Sequence, residues 1–371
     1  MARYFSGKRP WTFVACAVTV VVIYSLLKPP PELERYIAVN RPVVYGGKTT
    51  NGDTVIKVLL IAHGRGGSSL LGRLFDTNPD AFYFYEPDLR MFPGYGTRPL
   101  ATFFTKDGSK RYPFDSPSRV KELIDNLNSL GNCNFSATPP PTRNHEFFWK
   151  SVKGEQFQKK CLSSPKYTKQ QCIDMYEQEC HNSSVRALKV LHFDIDFALK
   201  LVKIDPSWRV IRYVRDPRGI VRSRFDDNNP NVQDWMAFKD SILGEGELLC
   251  RKMLENAQKY PKLKQMYPKN IQRFSYEQIA TNPISQSEAI YRFLGLELPE
   301  SVKSAIKKST SDSQLFAEET FSVKRKNGTE TAYKWMKTLK TSDLQALDKL
   351  CGPVLDLLGY PRFENIHIPE H

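Results

Sequence analysis

Residues 63–69 read His-Gly-Arg-Gly-Gly-Ser-Ser, and the segments on either side of them decide the fold. Residues 55–62 (VIKVLLIA) are short and mostly apolar, which is typical of a buried strand in a parallel sheet. The apolar residues after the turn repeat at helical spacing: Leu70, Leu71, Leu74 and Phe75. Residues 82–85 (FYFY) are a second candidate strand. This order predicts an α/β fold with a P-loop-like central parallel sheet flanked by helices.

The turn itself has the composition of an anion site. Backbone N–H groups in such a turn point inward, and the N-terminus of the following helix adds positive potential. The glycines permit close approach of the backbone, the serines add hydroxyl donors and Arg65 adds a fixed charge. A tight turn without a ligand is the alternative. The triphosphate-binding loop of kinases and related enzymes requires Gly-Lys-Ser/Thr, which this turn lacks, so the pattern disfavours a kinase.

A second polar motif follows a later strand. Residues 208–214 (WRVIRYV) predict a strand that runs into residues 215–218 (Arg-Asp-Pro-Arg), and Ser223 comes eight residues after Arg215. An arginine at the carboxyl end of a strand and a serine one to two turns into the next helix can converge on one ligand. Because Arg-Asp-Pro is also an ordinary strand exit, only the two motifs together indicate a ligand site.

Together the two motifs resemble those of sulfotransferases. The family's loop for the 5′-phosphosulfate usually reads Arg or Lys, a small residue, Gly and two hydroxyl residues. Residues 65–69 of this sequence match that order, with Gly66 at the position where Ser or Thr is usual. Its second signature, an arginine at a strand end and a serine eight residues later, holds the 3′-phosphate. The resemblance implies 3′-phosphoadenylyl sulfate (PAPS) as the donor, without a metal. It assigns donor binding to these residues: Arg65, Gly66, Gly67, Ser68, Ser69, Arg215 and Ser223.

Further matches extend the resemblance over most of residues 55–371. Residues 275–279, 282–283 and 293–296 look like the Tyr-Glu-Asp-Leu, Asn-Pro and Phe-Leu-Gly-Leu stretches of sulfotransferases. This implies that Tyr276 lies beside the adenine of the donor. The alternative is that Tyr276 is an ordinary residue of the core.

The C-terminal part is similar to a narrower group. Residues 324–326 (KRK), Trp335 and residues 358–360 (LGY) resemble the end of Golgi carbohydrate 6-O-sulfotransferases acting on galactose, N-acetylgalactosamine or N-acetylglucosamine. The resemblance implies a sugar hydroxyl as the acceptor, and position 6 rests on it alone. Residues 324–326 would close over the donor or form a solvated face.

The candidate general base is Glu86. It directly follows the second candidate strand, at the carboxyl edge of the sheet, where open α/β proteins bind their ligands. Golgi carbohydrate and tyrosylprotein sulfotransferases similarly place an acidic residue about twenty positions after the basic residue of the loop, and Glu86 is 21 after Arg65. The alternative is a glutamate that caps a turn or pairs with an arginine.

His192 is the competing candidate base. Cytosolic sulfotransferases use a histidine shortly after a strand lysine, and Lys189 precedes His192 in a similar pattern. The spacing here is one residue longer, which on a strand points the ring to the opposite face. A buried structural histidine is therefore the simpler interpretation, while Lys189 could still contribute charge near the site.

The N-terminus predicts a membrane anchor. Residues 11–27 are an uncharged, largely apolar run of 17, preceded by basic residues and followed by Lys-Pro-Pro-Pro. The end of the apolar run that follows the basic residues is expected in the cytoplasm. Residues 1–10 would then be a cytoplasmic tail, residues 28–54 a stem and residues 55–371 a lumenal domain. A cleaved signal peptide is the alternative, but no small-x-small cleavage site follows residue 27. A single-pass type II protein of the Golgi membrane is the expected topology.

The cysteines and glycosylation sequons agree with a lumenal address. Six cysteines follow the anchor and allow up to three disulfides with 15 connectivities: Cys133, Cys161, Cys172, Cys180, Cys250 and Cys351. Their spacing does not fit a zinc site. Three sequons are present, at Asn134, Asn182 and Asn327. Residues 108–184 hold four of these cysteines and two of the sequons, and are expected to form an irregular, disulfide-braced insertion.

The net charge of +14 favours an anionic partner such as a glycosaminoglycan, an anionic membrane or an acidic ligand. No zinc-finger, basic-zipper or RNA-binding signature is present, so nucleic acid is not expected. Two other functions stay open beside the carbohydrate sulfotransferase: a tyrosylprotein sulfotransferase, and a lumenal polyanion-binding protein with a degenerate donor site. The sequence leaves the oligomeric state undetermined.

Overall fold

The computed structural model describes residues 55–87, 117–138, 140–144, 146–191, 193–225, 241–311 and 327–365. The predicted tail, anchor and stem, together with His192 and the basic residues 324–326, lie outside these ranges. Among the residues that are described, no helix is both long and apolar enough to cross a bilayer.

The described part of the chain is built on a five-stranded sheet in which every strand pair is parallel. The strands are β1 (Ile56–Ala62), β2 (Ala81–Tyr85), β3 (Val185–Leu191), β4 (Trp208–Val214) and β5 (Ile271–Ser275). Their spatial order is β2-β3-β1-β4-β5. The predicted parallel α/β sheet is therefore confirmed. The chain leaves the central strand β1 towards β2 on one side, whereas β4 and β5 lie on the other, so the end of β1 is a topological switch point where ligands bind in such sheets.

Helices surround this sheet. The first group is α1 (Ser68–Asp76), α2 (Pro117–Gly131), α3 (Pro140–Arg143), α4 (Val152–Phe157), α5 (Lys169–Asn182) and α6 (Ile195–Ile204). The second group is α7 (Pro217–Arg224), α8 (Ile242–Met266), α9 (Tyr276–Thr281), α10 (Pro283–Leu294) and α11 (Glu300–Ser311). The last group is α12 (Gly328–Tyr333), α13 (Trp335–Thr338) and α14 (Thr341–Leu358). Short 3-10 turns occur at Glu146–Phe148 and Phe363–Asn365, and a π-helical turn at Gln158–Leu162.

Both faces of the sheet are buried, which explains why β1 is apolar without alternation from Val58 to Ala62. Leu59 and Ile61 pack with α2 and α6 on one face. Leu60 and Ala62 pack with α1 and α10 on the other. A third cluster joins α7, α8 and α14 around Trp335.

Three disulfides pair all six cysteines that the sequence places beyond the predicted anchor. They join Cys133 to Cys180, Cys161 to Cys172 and Cys250 to Cys351. The first two lie in the expected insertion, whose described residues are mainly helical (α2–α5) rather than irregular. The third ties α8 to α14.

Removal of the third disulfide is expected to cost the most stability. Chain-entropy estimates give about 5 kcal/mol for a bridge closing roughly 100 residues and about 3 kcal/mol for one closing about ten. The Cys250–Cys351 bridge spans 101 residues and the Cys161–Cys172 bridge spans 11. The double alanine variant at Cys250 and Cys351 should therefore lose more unfolding free energy in urea than the matched variant at Cys161 and Cys172. Equal losses, or the reverse order, would contradict the estimate.

Candidate functional site

The glycine turn connects β1 directly to α1. The backbone N–H of Gly66 donates to the carbonyl oxygen of His63 at 2.8 Å, which closes the turn. Arg65 and Gly67 have φ angles of 67° and 81°, in the left-handed region. Helix α1 then begins at Ser68 without a side-chain cap. Because the first N–H groups of a helix lack intrahelical acceptors, the turn presents hydrogen-bond donors that suit an anion.

Two glycines are required by space as well as by backbone conformation. A Cβ on Gly66 would lie 2.7 Å from the carbonyl oxygen of His63. A Cβ on Gly67 would lie 2.2 Å from the ring of Tyr276. A side chain at either position would therefore have to displace the turn or its neighbour.

The two predicted motifs meet in space. Nε of Arg65 donates to the Ser223 hydroxyl at 3.1 Å, and Nη1 of Arg215 donates to the carbonyl oxygen of Arg65 at 2.8 Å. The guanidinium of Arg215 also stacks on the Tyr276 ring, 4.5 Å from its centroid. The four residues that the resemblance assigned to the 5′-phosphosulfate, the 3′-phosphate and the adenine of one donor thus form one cluster at the switch point.

This cluster fits a ligand that carries anionic groups. Nε of Arg215 is buried and has no hydrogen-bond partner among the described residues. It therefore has a donor available for a ligand, because a buried N–H group is normally paired. The N–H groups at the uncapped start of α1 are further donors for the same ligand.

A buried ion pair supports the turn from behind. Arg224 donates to the carbonyl oxygen of Gly64 through Nε at 3.2 Å and Nη2 at 3.0 Å. It also forms an ion pair with Glu245 on α8. Sequence reasoning missed both residues, although Arg224 directly follows Ser223. The Arg224–Glu245 pair therefore fixes Gly64 of the turn, and the neighbouring Ser223 accepts a hydrogen bond from Arg65.

Glu86 lies at the end of β2 and pairs with a strand lysine. Its carboxylate is 2.7 Å from the ammonium of Lys189, and the two side chains are 6% and 0% exposed. The pair forms because Lys189 on β3 is in register with Tyr85, the residue before Glu86. Glu86 has a φ of 48°, a left-handed conformation that is uncommon outside glycine and is found at functional sites. The sequence predicted charge from Lys189 near the site, and the structure brings it into contact with Glu86.

Tyr85 connects Glu86 to the glycine turn. Burial raises the pKa of the Tyr85 hydroxyl far above its ordinary value, and the neighbouring Glu86 carboxylate raises it further, while a hydrogen bond with Ser69 acts in the opposite direction. The hydroxyl therefore stays protonated at neutral pH. Sequence reasoning treated Tyr85 only as a strand residue, and its position directly before Glu86 was the available signal.

A buried network fixes the strand end that carries Arg215. Arg218 binds the Asp216 carboxylate with two hydrogen bonds, of 3.0 and 2.7 Å, and reaches Asp348 on α14 at 2.7 Å. The Glu277 carboxylate accepts from the Asp216 backbone N–H at 2.9 Å and from the Tyr360 hydroxyl at 3.0 Å. Burial raises the pKa of Glu277. The network connects the Arg-Asp-Pro-Arg motif to the C-terminal helix.

Among the described residues, no group of three His, Cys, Asp or Glu side chains could hold a metal ion. The predicted donor-site residues Gly66, Ser68 and Ser69 all lie in the turn or the first turn of α1. His192 and residues 324–326, the other sequence-predicted candidates near the site, lie outside the described residues.

Known proteins resemble this chain in sequence and, more weakly, in structure. A family model described as the sulfotransferase domain matches residues 56–359. Mouse carbohydrate sulfotransferase 4 is 25% identical over 338 residues, which cover 82% of this chain and 82% of the mouse protein. Human carbohydrate sulfotransferase 6 is 24% identical, over 94% of this chain and 88% of the human protein. Among solved structures, the sulfotransferase domain from the curacin biosynthetic pathway aligns with 84% of this chain and 100% of that domain, with a TM-score of 0.43 and 11% identity.

Proposed function

Because this chain belongs to the sulfotransferase domain family, we propose that it transfers a sulfuryl group from PAPS to a sugar hydroxyl. The acceptor is a glycosaminoglycan or a glycoprotein glycan, and the hydroxyl is position 6 of galactose, N-acetylgalactosamine or N-acetylglucosamine. The observation that carries this proposal is the convergence of Arg65, Arg215 and Ser223 at the end of β1. The carbohydrate sulfotransferases that align with most of the chain support the choice of acceptor.

The donor is held from both ends. The turn from Arg65 to Ser69 binds the 5′-phosphosulfate through backbone N–H groups, hydroxyls and one guanidinium. Arg215 and Ser223 bind the 3′-phosphate, for which charge-assisted hydrogen bonds are the strong contacts. The adenine lies beside Tyr276. When bound, the donor supplies a sulfuryl group that is activated by its anhydride bond to phosphate.

Glu86 accepts the proton of the acceptor hydroxyl. A general base must reach the proton that it removes, and its position at the carboxyl edge of the sheet supports this role. The ammonium of Lys189 fixes the carboxylate in place at 2.7 Å. Arg65 and the N–H groups of the turn stabilise the negative charge that develops on the departing bisphosphate. Catalysis then consists mainly of positioning and electrostatic stabilisation, as in phosphoryl transfer.

The protein acts in the lumen of the Golgi, held by the membrane anchor at residues 11–27. The three disulfides support an oxidising compartment, because disulfides persist there and are rare in the cytosol. The predicted stem and the three sequons agree with this location.

The test of the proposal is sulfate transfer by the full chain in detergent. Labelled PAPS would be offered with desulfated chondroitin, keratan, heparan and a tyrosine-containing acidic peptide. We expect transfer to one of the glycans and none to the peptide. Transfer to the peptide alone would indicate a tyrosylprotein sulfotransferase. No transfer, with salt-dependent heparin binding and no binding of adenosine 3′,5′-bisphosphate, would indicate a polyanion-binding protein.

Replacement of Gly67 by alanine is expected to weaken donor binding about tenfold. The left-handed backbone costs a non-glycine residue about 1–2 kcal/mol, and the added Cβ would collide with the Tyr276 ring. Titration with adenosine 3′,5′-bisphosphate measures the effect. Gly295→Ala is the matched control, because Gly295 also has a positive φ, of 75°, but a Cβ there meets no atom within 4 Å. Equal affinity of the Gly67→Ala variant and the unaltered chain would contradict the prediction.

A further inference from the structure

A short segment packs against the edge strand β2. Residues 146–152, called here the edge segment, follow α3 and lead into α4. On one face of the sheet, Phe148 packs in the core and its ring centroid lies 6.3 Å from that of Phe84. On the other face, the N–H of Val152 donates to Asp76 at the end of α1, at 2.8 Å. The edge segment is therefore anchored on both sides of β2, and its path is fixed by packing.

This anchoring brings two side chains of the edge segment to the end of β2. The ring of Phe147 meets that of Tyr85 edge to face, with centroids 5.3 Å apart. The ammonium of Lys150 lies over both rings, 4.7 Å from the Tyr85 centroid and 4.8 Å from that of Phe147. Both rings are half-buried and Lys150 is exposed. The three residues form a surface of two rings and one cation directly beside Glu86.

The two lysines that contact Tyr85 differ in what they bind. Lys189 is buried, lies 3.6 Å from the Tyr85 centroid and pairs with Glu86. Lys150 faces solvent and forms no ion pair with any described carboxylate. Since an exposed cation held over aromatic rings keeps its charge available on the solvent side, an anion can approach Lys150 without displacing any carboxylate of the described residues.

We propose that Lys150, held over the Tyr85 and Phe147 rings, forms an acceptor subsite that binds an anionic sugar residue next to the sugar deprotonated by Glu86. The inference rests on the proposed function. The ammonium of Lys150 pairs with a carboxylate or a sulfate ester, and the Phe147 ring holds that ammonium in place. The chain then prefers a glycan that already carries negative charge, which agrees with its net charge of +14.

The test compares charged and uncharged forms of one glycan. The unaltered full chain and Lys150→Ala would be assayed with two pairs of acceptors. One pair is chondroitin and carboxyl-reduced chondroitin, and the other is keratan sulfate and its desulfated form. One charge-assisted contact corresponds to about a tenfold change in affinity. We expect the KM for the charged form to rise about tenfold in Lys150→Ala and the KM for the uncharged form to change less than about twofold. The affinity for adenosine 3′,5′-bisphosphate should stay the same.

Lys166→Ala is the matched control. Lys166 is exposed in the same disulfide-braced region and lies over the Tyr167 ring at 5.4 Å. We expect it to change neither KM. Phe147→Ala should raise the KM for the charged form by a smaller factor than Lys150→Ala and change the KM for the uncharged form less than about twofold, because the ring positions the Lys150 ammonium. Direct binding of the charged and uncharged oligosaccharides, measured by calorimetry with adenosine 3′,5′-bisphosphate present, gives a second readout.

The subsite and the proposed function can fail separately. An unchanged KM in Lys150→Ala, or an equal rise for both forms, would overturn the subsite while leaving sulfate transfer intact. Absence of transfer by the unaltered chain would overturn the proposed function instead. In that case the calorimetric comparison of the two oligosaccharide forms still decides whether Lys150 binds the anionic group.

Discussion

Glu86→Gln is expected to lower kcat for sulfate transfer about 1,000-fold, because general base catalysis contributes roughly 10²–10⁴-fold. The amide has nearly the shape of the carboxylate but cannot take the proton of the acceptor hydroxyl. Donor binding depends on the glycine turn, Arg215 and Ser223, so the affinity for adenosine 3′,5′-bisphosphate should change less than about twofold. Rapid-quench transfer and bisphosphate titration of the same preparation measure the two effects.

The substitution also leaves Lys189 without its ionised partner, so a stability control is needed. Asp205→Asn disturbs an ion pair of the same kind, between Asp205 and the buried Lys57 near the amino end of β1. It should lower the melting temperature but leave kcat unchanged. If Glu86→Gln retains more than about a tenth of the kcat, Glu86 is not the base, and His192 becomes the candidate to test.

Arg215→Ala is expected to weaken the binding of adenosine 3′,5′-bisphosphate at least about 100-fold. The guanidinium lies at the centre of the cluster, since it contacts the Arg65 backbone at 2.8 Å and stacks on Tyr276 at 4.5 Å. Its loss removes charge-assisted hydrogen bonds worth about 1.5–3 kcal/mol each. The affinity for adenosine 5′-phosphate, which lacks the 3′-phosphate, should fall only a few-fold.

Arg209→Ala is the matched control for this prediction. Arg209 lies near the opposite end of the same strand, β4, where it donates to the carbonyl oxygen of Pro206 at 2.9 Å. Its removal should leave both affinities unchanged. If Arg215→Ala weakens the binding of adenosine 3′,5′-bisphosphate and of adenosine 5′-phosphate by the same factor, Arg215 acts by supporting the turn and not by binding the 3′-phosphate.

The central part of the fold could be predicted because its signals are local. The apolar strand, the glycine turn and the helical spacing after it are encoded in about twenty consecutive residues, and the arginine and serine of the second motif are eight apart. The order of the strands could not be predicted in the same way. Strand β3 lies between β1 and β2, although about 100 residues separate it in sequence from both, and only packing of the whole sheet determines this.

The parts of the site that the sequence did not predict depend on contacts between distant segments. The pairing of Glu86 with Lys189 follows from the register of β2 and β3. Arg224 reaches Gly64 because α7 lies behind the turn, and Glu245 reaches Arg224 from α8. The spacing of the cysteines allowed 15 disulfide patterns, and the positions of the helices select one.

Comparison of PAPS with adenosine 5′-phosphosulfate as sulfate donors for the full chain tests the proposed donor site most directly. The two molecules carry the same phosphosulfate and differ only in the 3′-phosphate, which we assign to Arg215 and Ser223. We predict a kcat/KM at least about 100-fold higher with PAPS, because the contacts to the 3′-phosphate are charge-assisted. Equal values of kcat/KM for the two donors would contradict the assignment of the 3′-phosphate to Arg215 and Ser223, and no transfer from either donor would contradict the proposed function.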